Sequence, residues 1–137
     1  MRFSEWEKNV APKLMAAVTA AGDNEDAFKY LTQQGYCVRI IDNLYDQDYP
    51  PTNEELLDVS KLLFSVIPSN PFYQEHIKTL QPVASMAWEA WEQSNRLCKT
   101  SCTDRIYAHV FRDQIIYMSE LVALLTQGYE KMVEVRK

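Results

Sequence analysis

Between Thr103 and Gly128 the chain carries a helical pattern longer and more apolar than any other, and its burial sets the terms for the rest. Ile106, Val110, Tyr117, Leu121, Leu124 and Leu125 recur at spacings of three and four, and Phe111, Met118 and Val122 widen the stripe. Thr103 reads as an N-cap and Gly128 as a C-terminal stop, so the expected helix runs from Asp104 to Gln127, about 36 Å long. An arc that broad has to be covered by other helices or by a second molecule. It predicts a bundle with this helix at its centre or at an oligomer interface.

The remaining chain is punctuated in the same way. Trp6, Val10, Leu14, Ala17, Val18 and Ala21 form one helical stripe, with Ser4 and Glu7 in capping-box spacing and Pro12 demanding a kink or a restart. Gly22 ends that segment, and Asp23 or Asn24 caps a second helix over residues 25–34, which Gly35 is expected to stop. Val38, Ile40 and Ile41 favour a strand on propensity. No partner strand is visible, however, and a lone strand cannot satisfy its backbone groups, so residues 37–46 are assigned to a helix. Thr52-Asn53-Glu54-Glu55 is a capping box behind Pro50-Pro51, and it opens a helix to about Ile67 whose contacts are Leu56, Leu57, Leu63 and Phe64. Asn70-Pro71 starts a short helix with Phe72, Tyr73, Ile77 and Leu80 inward. Pro82 then fits the first turn of a longer helix to about Lys99, with Val83, Met86, Ala87, Ala90, Trp91 and Leu97 inward. From about residue 129 the chain reads as a polar tail. The expectation is an all-α compact bundle of about six or seven helices, residues 1–137 forming a single helical domain.

Composition narrows the function classes. With 137 residues, 47% hydrophobic and 24% charged, the chain can bury a core without disulfides. Its net charge of −5, with no more than two Lys or Arg in a row, would repel a phosphate backbone, so nucleic acid is not an expected partner. No apolar block reaches the roughly 18 residues of a membrane span, and none follows basic residues as in a secretory signal. Three cysteines, an odd number, fit reduced thiols in a cytoplasmic protein. Cys98 and Cys102 lack the two-residue separation of common zinc sites. Three glycines cannot build a glycine-rich phosphate cradle, and no nucleophile elbow is present.

The chemistry that remains is acidic. Asp42-Asn43-Leu44-Tyr45-Asp46-Gln47-Asp48 places three carboxylates and two side-chain amides in seven residues. Asp42 and Asp46, four apart, share one face of a helix, and their repulsion would be relieved by a hard cation such as magnesium, manganese or calcium. On the long helix His109, Asp113 and Glu120 line one edge of the apolar arc. If that edge faces the acidic segment, Asp42, Asp46, Asp48, His109 and Asp113 form a divalent-metal site between helices. The alternative is a helix end and its turn, rich in Asp and Asn for conformational reasons, opposite an ordinary solvated flank where Asp113 pairs with His109. Gln114 lies within the arc and calls for a polar neighbour such as Asn95 or Ser94.

Three stretches together carry a resemblance: the acidic segment, Ile67-Pro68-Ser69-Asn70-Pro71-Phe72-Tyr73, and Ala108-His109-Val110-Phe111-Arg112. Over about residues 36–128 the chain resembles a family of small helical proteins encoded by bacteriophages and prophages. That resemblance implies an all-α fold and a phage origin, hence the host cytoplasm, but no reaction. Members tend to have two adjacent acidic residues where this chain has Asp42-Asn43. The segment is also similar to the Asp-Asp-x-x-Asp motif of isoprenoid synthases, an analogy of chemistry only, since that fold needs about twice the helices. The patterns of the all-α nucleotide pyrophosphohydrolases are not matched.

Two functions follow. In the first the protein binds a protein partner, either host or phage, and the acidic segment is structural. In the second it is a metal-dependent enzyme or sensor acting on a phosphorylated small molecule. A homo-oligomer, most simply a dimer, is expected because a small bundle struggles to cover both the tryptophan-bearing helix and the broad arc. The fold expectation has a direct check: far-ultraviolet circular dichroism should be helical, and a β-dominated spectrum would refute it.

Overall fold

The computed structural model describes residues 1–97, 99 and 117–136, and among these the chain is all-α, with seven α-helices and no strand. They fall into two compact units, Met1–Glu75 and His76–Lys137.

The first unit is built on α3 (Glu25–Asp46), preceded by α1 (Phe3–Asn9), a 3₁₀ turn (Ala11–Lys13) and α2 (Met15–Ala21). Pro12 lies within the 3₁₀ turn, so the expected kink is a clean restart between two helices. The Asn24 side chain accepts the Ala27 N–H at 2.9 Å, as its capping role requires. Gly35 does not stop the helix. Tyr36, Cys37 and Ile40 beyond it are buried, and continuing the helix places them on the same inner face as Tyr30, Leu31 and Gln33. Core burial here outweighs the roughly 1 kcal/mol by which glycine disfavours a helix.

The capping box at Ser4 is also overturned. Helix α1 begins at Phe3, and its N-cap residue Arg2 makes no side-chain capping bond. Asp58 of α4 (Asn53–Lys61) serves instead, accepting the Phe3 N–H at 3.0 Å while also taking Arg2 Nε at 3.0 Å and Arg2 Nη2 at 2.7 Å. One turn earlier Glu55 works twice. Its side chain accepts the Thr52 N–H at 2.9 Å in a capping box, and its other oxygen accepts the Met1 ammonium at 2.9 Å. The predicted box at Thr52 is therefore present, and it also fastens the N-terminus to α4.

Between α4 and α5 (Pro71–Leu97) the helix widens into a π turn, Leu62–Val66, where the Ile67 N–H bonds to the Leu62 carbonyl at 2.8 Å. Asn70 caps α5, accepting the Tyr73 N–H at 3.1 Å and donating to the Asp26 carbonyl at 2.9 Å. The first turn of α5 packs on α3 through Tyr30, whose ring stacks on Tyr73 at 5.5 Å and tilts against Phe72 at 6.2 Å.

The second unit begins where α5 leaves helical geometry, at His76 (φ −111°, ψ 17°). The break was expected just before Pro82. Instead Pro82 lies inside the helix, exposed at its surface. Met86 is exposed rather than inward, whereas Ala90, Ser94 and Asn95 are buried, with the Ser94 hydroxyl donating to the Trp91 carbonyl at 2.7 Å. Of the residues 104–127 expected to form one helix, Tyr117–Gln127 are described and form α6, and Gln114 lies outside the described residues. Its inner face is Met118, Val122 and Ala123, with Leu124 turned outward. Gly128 (φ 99°) ends α6 as expected, in a conformation that a side chain would strain. The polar tail beyond it is helical, α7 (Tyr129–Arg136), packed on α6. Arg136 joins the two, 3.3 Å from Glu120 Oε1 and with its guanidinium 4.9 Å above the Tyr117 ring.

The clamp of α1 on α4 yields a prediction. Asp58→Asn should cost about 1 kcal/mol in denaturant unfolding at neutral pH, the half-exposed Arg2 limiting the loss. Hydrogen bonds from Arg2 and the Phe3 N–H hold Asp58 below the usual carboxylate range, and those from the Thr52 N–H and the Met1 ammonium do the same for Glu55. A lowered folded-state pKa stabilises the fold when the group is ionised. That contribution is complete above the ordinary carboxylate values near ~4 and is lost as the pH falls below them. Asp58→Asn should therefore flatten the acid limb of stability against pH.

Candidate functional site

The acidic segment occupies the last turn of α3 and the turn after it. Asp42 and Asn43 are half-buried on the helix, Asp46 is its final residue, and Asp48 lies in the exposed chain beyond. Gln47 ends the helix in the left-handed region (φ 59°, ψ 18°), its N–H bonded to the Asn43 carbonyl at 2.9 Å.

Asp42 and Asp46 therefore lie on the last turns of α3, and Asp48 just beyond its end. That end is the negative pole of α3, and no basic residue occupies its last turn. Carboxylates there oppose the helix dipole at about 0.3–1 kcal/mol each near the surface. His109 and Asp113, the other two residues of the expected site, lie outside the described residues. Among the described residues, no three His, Cys, Asp or Glu side chains are grouped as metal ligands. Cys37 is buried in α3, and burial pushes its thiol up to about 12, which keeps it protonated and unreactive.

A second surface was not anticipated. The helix opened by Thr52 was expected to face inward through Leu56, Leu57, Leu63 and Phe64. The buried residues are instead Val59, Leu62 and Ile67, while Leu57 is 51% exposed and Phe64 84% exposed. The π turn is the cause. In an α-helix, residues five apart point in different directions, but the bond from the Ile67 N–H to the Leu62 carbonyl closes a wider turn that brings both onto the inner face. The residues between them, Leu63, Phe64, Ser65 and Val66, are left exposed. The sequence did contain a signal. Leu62-Leu63-Phe64 followed by Val66-Ile67 holds more apolar residues than one face of a helix can bury.

Gln47 offers a local test of the acidic turn. A left-handed residue with a side chain costs about 1–2 kcal/mol, against about 0.5–1 kcal/mol for the looser unfolded chain that glycine brings. Thermal melting should show Gln47→Gly slightly more stable than the parent, and Gln47→Val clearly less stable.

No family model matches the chain, and comparison with curated proteins and with solved structures finds no match.

Proposed function

We propose that this protein works by binding another protein, and that the outward apolar side chains of α4 and the π turn make the contact. The observation that carries this reading is Phe64, a large aromatic 84% exposed, with Leu57, Leu63 and Val66 also exposed on the same short stretch. Aromatic residues, phenylalanine included, are enriched at protein interfaces relative to the rest of the surface, and π turns recur at functional positions in helices. The simplest partner is a second copy of the chain. A host or phage protein would fit the resemblance to small phage-encoded proteins.

Light scattering at micromolar concentration tests the first case. The parent should have the mass of a dimer and a melting temperature that rises with protein concentration, whereas Phe64→Asp should be monomeric, keep the helical circular dichroism of the parent and melt independently of concentration, since within a single chain that side chain is exposed. A monomeric parent would remove self-association from the proposal.

A second reading rests on the carboxylates at the negative end of α3. A divalent cation such as magnesium held by Asp42, Asp46 and Asp48 would relieve both their mutual repulsion and their conflict with the helix dipole. The protein would then be a metal-dependent enzyme or sensor for a phosphorylated small molecule. Calorimetric titration with magnesium, manganese and calcium separates the two. On the protein-binding reading it gives no saturable heat. A saturable heat that Asp46→Asn abolishes would transfer the function to the acidic segment.

A further inference from the structure

We draw no further inference here: the strongest candidate, the exposed apolar face of Leu57, Leu63, Phe64 and Val66 along α4 and its π turn, belongs to the site already described, and nothing in the structure shows what covers it.

Discussion

Tyr36 ties the first unit together. Its side chain is fully buried, with the Phe3 ring at 5.3 Å and the Trp6 ring at 5.5 Å, both edge-on, and its hydroxyl donates to the Met1 carbonyl at 2.8 Å. A buried phenol stabilises a core only if its hydroxyl finds an acceptor, and here the acceptor comes from the chain end that Glu55 and Asp58 hold in place. Burial, with the neighbouring Asp58 and Glu55 carboxylates, pushes the phenol up to about 12, so it remains a neutral donor. The aromatic packing of α1 on α3 and the polar clamp of α1 on α4 thus depend on each other. Without the clamp the Met1 carbonyl is not positioned, and without the ring the clamp has nothing to close over.

This arrangement explains which element boundaries were legible. Asn24, Thr52 and Gly128 act through their own backbone neighbourhood, so residue type and spacing were enough to find them. Asn70 was legible for the same reason, although its bond to the Asp26 carbonyl was not. Ser4 and Gly35 misled because a distant part of the chain decided the outcome. Asp58, more than fifty residues away, satisfies the first donor of α1, and the buried face of Tyr36, Cys37 and Ile40 carries α3 through a glycine. Local signals propose helix ends, and tertiary burial or a remote acceptor overrides them.

The inner face of α4 failed for a different reason. A periodicity argument assumes a constant turn, and one wide turn between Leu62 and Ile67 changes which residues share a face. The excess of apolar residues over one face was visible in the sequence, but the choice of which to expose was not. Of the acidic segment, the helix end near Asp46 was legible from Pro50-Pro51 and from the Asp and Asn residues around it. Its meeting with His109 and Asp113 was an inference from two apolar edges and lies outside the described residues.

The two departures from local rules differ in size, and this ranks the two readings. Each carboxylate at the wrong end of a surface helix costs about 0.3–1 kcal/mol at low ionic strength, so three cost about 1–3 kcal/mol, and salt screens part of it. A phenylalanine left in water forgoes about 1.5–3 kcal/mol that burial would return, and the exposed Leu57, Leu63 and Val66 of the same stretch forgo a further share. Sequences tolerate either fault when something else offsets it. The larger unrealised free energy lies on the apolar surface, and water cannot supply it. A protein partner can, by covering Phe64 and its neighbours, whereas a cation at the end of α3 would relieve only the smaller conflict. For that reason the partner-binding reading stands ahead of the metal reading.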